Sequence, residues 1–315
     1  MPSRMIVSPL SDDSGFDGRR LLVVVNKVWE ADPLEGALSA GPSAVSESYR
    51  PRPDSVQFVR VQGTRGMRGY VTAAKDLRTE IWCIEELIPD GADKSSSLEK
   101  AKVLSPLLSD PSVRLVIATG TAASSPDIPP WGSTQNGCVA IGRNAFVHDG
   151  NPGAEPAKHW PPPAADSVLA SALSSSGFAQ LLREPDFSTA VGARMLKPPN
   201  DPAVNVGTLI DADSVALSDV NVTDSKMYAV ADNATFEAFK ALHHGGTVAA
   251  IDTTLGVIRS CTPEKIPFLF VAGIVNRAYH FGDEVAPRPY AQNFAGAHNA
   301  GIAIAFLLRE IAAHP

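Results

Sequence analysis

Three continuous apolar runs set the narrowest limit on what this chain folds into: "LLVVVN" at 21–26, "VRLVIATGT" at 113–121 and "PFLFVAGIV" at 267–275. A strand with one wet face alternates apolar and polar residues. A short unbroken run of Val, Ile and Leu suits a strand covered on both faces. "SVQFVRVQG" (55–63), "EIWCIEEL" (80–87), "GCVAIG" (137–142) and "AVNVGTLIDADSVAL" (203–217) read as further strands. Helical patterns lie between them. One covers 93–108, with a polar start that supplies an N-cap and Pro106 near its end; others cover 166–184, 233–245 with Gly245 as its stop, and 252–261. A long closing helix, 290–314, lines up Phe294, His298, Ile302 and Phe306 at i, i+4 spacing. Residues 35–55 read as a loop. The proline-rich stretch around 150–165 is expected to be a surface insertion without regular structure. The alternation of strands and helices predicts a single α/β domain over 1–315, with a mostly or partly parallel sheet.

The chain has 315 residues, 44% of them hydrophobic and 19% charged, enough to bury a large core. Net charge is −7 and no Lys/Arg-rich block occurs, so the footprint of a nucleic-acid binder is missing. Cys83, Cys138 and Cys261 are too scattered for a CxxC pair or a disulfide framework, which predicts a reducing, cytoplasmic setting. The N-terminus lacks a signal-peptide core and the longest apolar run, Ala300–Leu308, is too short to span a bilayer, so no membrane association is expected. No GxGxxG follows the first strand, and no P-loop, GxSxG or HExxH is present. Cofactor-dependent redox chemistry and metal chemistry are therefore not expected.

In an open α/β sheet, ligands bind beyond the carboxyl ends of the strands. The run 266–275 ends in Asn276 and Arg277, a polar pair at that place. Five segments, in order, resemble the purine nucleoside phosphorylase and nucleosidase family, which includes methylthioadenosine/S-adenosylhomocysteine nucleosidase. "VVVNKVWEADPL" resembles its opening strand with a glutamate four residues on, Asn26 to Glu30. "VIATGTAAS" (116–124) resembles its central TGSAGG-like segment. "GCVAIGRNAFVHDG" (137–150) resembles the next strand and turn, with His148 and Asp149 matching and Val147 in place of an aromatic. "NVGTLIDADSV" (205–215) is similar to the strand beside the base. "AAIDTTLGVIRSCTPEKIPFLFVAGIVNR" (249–277) is similar to the segment carrying the ribose-binding glutamate and the catalytic aspartate.

That resemblance implies a three-layer α/β/α domain with a central mixed sheet. It implies cleavage of the N-glycosidic bond of a purine nucleoside, by water or by phosphorolysis, with no cofactor beyond inorganic phosphate as a co-substrate. It places Glu30 where a carboxylate activates water; the alternative is a solvated loop acid. Asn276 stands where many members carry an aspartate facing N7 of the purine. An asparagine donates and accepts hydrogen bonds there but gives up no proton. Thr119, Gly120, Thr121 and Ala122 are expected to line the ribose or phosphate; the alternative is an ordinary strand–helix turn. Ala123 and Ser124 replace a glycine pair. Asp252 and Thr253 occupy the place of a Met–Glu pair and can bind a ribose hydroxyl, or Asp252 can cap a helix. Asp213 and Val215 lie on the strand beside the base, with Val215 in place of a stacking ring. Phe281, with His280 and Arg288, forms either a lid or a surface loop. A phosphorylase would need cations, and Arg65 and Arg68 are the nearby pair. The expected partners are a small purine nucleoside or base and further copies of the chain, as a dimer, trimer or hexamer. Because the departures fall at the acid, the ribose glutamate, the glycine pair and the aromatic, a nucleoside- or nucleobase-binding protein without catalysis remains the competing reading, and a paralogue without small ligand a third.

Overall fold

The computed structural model describes residues 20–38, 57–73, 77–126, 139–148, 159–160, 209–218, 225–242, 248, 250–252, 254–280 and 290–313. Its centre is formed by the three apolar runs lying side by side. β1 (Arg20–Val25), β5 (Val113–Ser124) and β10 (Phe268–Arg277) run parallel, and Ile117 of β5 has Val23 on one edge and Leu269 on the other. Leu21–Val25 and Phe268–Asn276 are buried throughout. The reason is two-sided cover. Leu21, Val23 and Val25 face a core shared with Leu34 and Leu38 of helix α1 (Val28–Leu38) and Ile304 and Leu308 of helix α6 (Tyr290–Ala313). Leu22 and Val24 face a second core, shared with Ile84 of α2 (Ile84–Leu87), Leu104 and Leu108 of α3 (Ser97–Leu108) and Ile258 of α5 (Gly256–Cys261). This is the three-layer α/β/α arrangement with a mixed central sheet.

The remaining strands are β2 (Gln57–Arg60), β3 (Met67–Ala73), β4 (Leu77–Cys83), β6 (Val139–His148), β7 (His159–Trp160), β8 (Leu209–Ser218) and β9 (Ala250–Asp252); α4 (Ser225–Leu242) packs over β8 and β6. The strand order is β10-β6-β8-β9-β5-β1-β4-β3-β2, with β7 on β6. β10 also pairs with β5, so β5, β10, β6, β8 and β9 close into a ring beside an open sheet wing. α6 lies so close to β10 that a Cβ on Gly273 would come within 2.0 Å of the Gly296 carbonyl oxygen.

Several boundaries differ from the sequence reading, each for a local reason. Residues 35–38 belong to α1 rather than a loop; the helix carries Pro33 in its interior, and its burial against α6 holds it. β3 is an antiparallel partner of β2 and β4 that its Gly and Arg content concealed. Residues 84–87 turn into α2 instead of extending β4. β5 continues to Ser124, because β10 pairs with it along 116–124, so Thr119–Ala122 form neither a loop nor a strand–helix turn. The reading of 252–261 as one helix gives way to β9, a turn and then α5. His159 and Trp160, inside the stretch expected to be irregular, pair with Phe146 and Ala145. The rest of that insertion, the helix expected at 166–184 and Gly245 lie outside the described residues. Ser96 caps α3 as the polar start predicted, accepting from the Glu99 amide at 3.4 Å. No helix among the described residues is long and apolar enough to cross a membrane.

Candidate active site

The sheet splits at one point along β5. β1 borders β5 as far as Thr119, opposite Val25, and β9 takes over the same edge only at Ala123, opposite Ile251. Between them, Gly120, Thr121 and Ala122 have β10 on one side and, among the described residues, no strand on the other. A backbone N–H left open in this way needs a partner. Glu30 supplies it: Oε1 accepts from the Thr121 amide at 2.9 Å and from Thr121 Oγ1 at 3.1 Å. Oε2 accepts from the Lys27 amide at 3.2 Å, the reach back of a glutamate in the first turn of a helix. The carboxylate lies over Gly120, where a Cβ would stand 2.6 Å from Oε1. Gly120 is thus a seat for Glu30, which explains its place in the strand.

Glu30 is buried, and burial together with the charge of Asp252 pushes its carboxyl up to about 7, against the hydrogen bonds from Thr121 and Lys27, which pull it down. It is not the solvated loop acid that the sequence left open. Asp252 ends β9 and is buried too. Its Oδ1 accepts from the Thr254 amide at 2.7 Å and the Leu255 amide at 2.6 Å, fixing the turn that leads into α5. The capping role is therefore real, although it acts on the turn before the helix. Burial raises Asp252 to about 6, opposed by those amides and by the charge of Lys100 on α3. Asn26, at the end of β1, donates from Nδ2 to Thr254 Oγ1 at 3.0 Å and ties the two sides of the split together.

Asn276 is buried at the end of β10, beside Ala123. The register slips between Ile274 and Asn276, a bulge of the kind that re-aims a side chain next to a site. Its Nδ2 donates to the Arg277 carbonyl at 3.3 Å. β8 carries Asp213 opposite Gly142, and Val215 opposite both Ala145 and Ala250, so its strand borders β9 at the ring. Thr253 and Phe281 lie outside the described residues, as does Arg288 of the expected lid. The two arginines considered for an anion site are engaged elsewhere. Arg68 binds Asp32 at 2.8 Å, Glu35 at 3.0 Å and Glu86 at 2.6 Å; Arg65 binds the carbonyls of Glu86 and Ile88 and the carboxylate of Asp90. Among the described residues no cluster of His, Cys, Asp and Glu is arranged to hold a metal ion.

Sequence reasoning passed over Asn26, Thr254 and Lys100. For Lys100 a signal existed: it shares an i, i+4 stripe with Leu104 and Leu108, so it had to point inward, and it is 2% exposed.

No protein-family model matches the chain, and no curated protein matches it by sequence. Solved structures do. The fold is that of the nucleoside phosphorylase and nucleosidase group. A 5′-methylthioadenosine/S-adenosylhomocysteine nucleosidase from Borrelia burgdorferi B31, bound to adenine, superposes with a TM-score of 0.51 at 11% identity, over 92% of this chain and 99% of that one. S-adenosylhomocysteine nucleosidase from Streptococcus pyogenes, in complex with 5-methylthiotubericidin, gives 0.50 at 12% identity, over 94% and 98%. At such identities the likeness establishes the fold.

The seat of Glu30 makes a direct prediction. Gly120→Ala leaves the strand conformation intact but places a methyl where the carboxylate lies. Glu30 must swing away, so any reaction it serves should fall by at least about tenfold while the far-ultraviolet circular dichroism stays unchanged. Wild-type activity in Gly120→Ala would separate Glu30 from the chemistry.

Proposed function

We propose that the protein hydrolyses the N-glycosidic bond of a purine nucleoside. The observation that carries this reading is Glu30: a buried carboxylate, poised near neutrality, fixed by Thr121 in the split of the sheet. A general base works best when its acidity lies near the working pH. Water attacks the anomeric carbon as Glu30 takes its proton; the carbon–nitrogen bond breaks and its electron pair leaves with the purine. Asn276 offers an N–H to the departing ring, and the ring collects its proton from solvent. Thr119, Gly120, Thr121 and Ala122 line the sugar, and Asp252 binds its hydroxyls with Thr253. The adenine and the 5-methylthiotubericidin bound in the two similar structures agree with a purine or nucleoside ligand. The engagement of Arg65 and Arg68 by carboxylates and carbonyls favours water over phosphate as nucleophile.

The competing reading, a nucleoside-binding protein without catalysis, is favoured by the four departures from the family pattern, most directly by Asn276, which has no proton to give. One experiment separates the two. The full chain is incubated with inosine, guanosine, adenosine and methylthioadenosine, with and without phosphate, and the free base is measured by chromatography. Base release without phosphate is the expected result. Thermal stabilisation by a nucleoside with no base released would establish the binding protein instead.

A further inference from the structure

The pairing of Glu30 with a second buried carboxylate is not explained by binding a sugar. β9 runs antiparallel to β5, with Ala250 opposite Ser124 and Ile251 opposite Ala123. The next residue, Asp252, therefore arrives beside Ala122, at the neighbour of the residue whose amide and hydroxyl hold Glu30. Asp252 cannot turn away, because Thr254 and Leu255 clamp Oδ1. Those bonds leave Oδ2 without a hydrogen bond among the described residues. The Asn26–Thr254 bond keeps the clamp fixed against the strand end that precedes Glu30.

We propose that Asp252 is a positioning residue for Glu30: anchored through Oδ1, it holds a negative charge beside the Glu30 carboxyl, so that the pair retains one proton. Two like charges brought this close out of water do not both ionise readily, and the second proton is retained. The proton resides on Glu30, because the two amides and the charge of Lys100 favour ionised Asp252. Lys100 is the balancing cation, brought in on the buried stripe of α3. Several other charged groups on the surrounding elements are engaged. Lys27 pairs with Glu85 at 3.5 Å; Asp32 and Glu35 on α1 pair with Arg68, and Arg60 adds to Glu35; Arg259 on α5 donates to the Thr262 carbonyl at 3.1 Å and lies over the Phe268 ring. His298 is the titratable group that α6 buries against this layer.

The role as a tuner of a general base rests on the nucleosidase reading, but the pairing itself is measurable without any reaction. Full-length protein carrying 13C-labelled glutamate and aspartate carboxyls is titrated by NMR, with Glu30→Gln used to assign the Glu30 signal. The comparison is with Asp252→Asn, whose amide oxygen still accepts from Thr254 and Leu255 and so preserves the turn. The Glu30 midpoint should fall by about one pH unit in that variant and remain above the ordinary glutamate range, because burial persists. Lys100→Met supplies the opposite sign: the Asp252 midpoint should rise. An unmoved Glu30 midpoint in folded Asp252→Asn overturns the pairing. If Asp252→Asn does not fold, an unmoved Glu30 midpoint in folded Asp252→Ser overturns it equally. Shifted midpoints in a protein that releases base from no nucleoside would retain the pair and remove the nucleosidase reading; base release with unmoved midpoints would do the reverse.

Discussion

Glu30→Gln should lower turnover of a purine nucleoside by a factor of about 10²–10⁴ and, at pH 8, make the folded chain more stable. Both effects come from one fact, the burial of a carboxylate that the reaction needs ionised. Glutamine keeps the size of the side chain and an oxygen for the Thr121 amide and hydroxyl, which Glu30 engages at 2.9 and 3.1 Å. It has no basicity. The lost interaction belongs to the transition state, so kcat should fall while nucleoside affinity survives. The stability effect follows from linkage. Glu30 titrates at an ordinary value near 4.5 when the chain is unfolded and at about 7 when folded. Between those values the folded state binds more protons than the unfolded one. Stability is therefore fully present below the unfolded value and is lost as the pH rises through about 7. The loss is about 3 kcal/mol at pH 8. Glutamine does not incur it, but sets an N–H₂ against the Lys27 amide and forfeits that 3.2 Å bond, at about 1 kcal/mol. A rise in Tm of about 2–4 °C should remain at pH 8 and disappear by pH 5. Thermal melts at the two pH values, beside initial-rate kinetics, measure both halves. Unchanged kcat would exclude Glu30 as the base, and a lower Tm at pH 8 would contradict its burial as the dominant cause.

Much of this site was legible before any coordinates, and the residues explain which part. The three central strands could be read because each is apolar on both faces, a pattern that only a covered sheet imposes. Glu30 and Thr121 could be named because the segments around them, "VVVNKVWEADPL" and "VIATGTAAS", resemble those of the nucleosidase family. The split between β1 and β9 could not be read. It arises from where two partners of β5 stop and start, at Thr119 and Ala123, and pairing register leaves no mark on one strand's own sequence. For the same reason Gly120 was expected to line a ribose or phosphate, when its demand is the carboxylate of Glu30, which lies 2.6 Å from where its Cβ would be. Asp252 was read as one of a pair for a ribose or as a cap. Its charge on Glu30 depends on two elements meeting, which composition does not report.

Asn276→Asp should change which purine the site prefers, and should raise the hydrolysis of adenine nucleosides. Asn276 ends β10 after a bulge, buried beside Ala123 of β5, the strand that carries the Glu30 seat. The Nδ2 group of an asparagine carries N–H donors only. That group suits a 6-oxopurine, whose N7 and O6 are both acceptors. An aminopurine sets an N–H donor against it in place of O6, and a buried polar group without a partner costs about 1–3 kcal/mol. Inosine or guanosine should then bind about 10–100-fold more tightly than adenosine. Aspartate accepts from an exocyclic amine when ionised, and the protonated acid donates to the ring nitrogen. It also restores what asparagine lacks, a proton for the departing ring, and general-acid help is worth about 10²–10⁴ in rate. The two gains depend on different partners. The change in preference needs only that Asn276 meets the base; the change in rate also needs a competent Glu30. Isothermal titration of inosine and adenosine against both proteins, followed by base release from each, reads them separately. A shifted preference without faster hydrolysis would place Asn276 at the base and leave the chain a binder. Equal affinities in the parent that the substitution does not alter would mean that β10 simply ends there, with its amide turned to the Arg277 carbonyl.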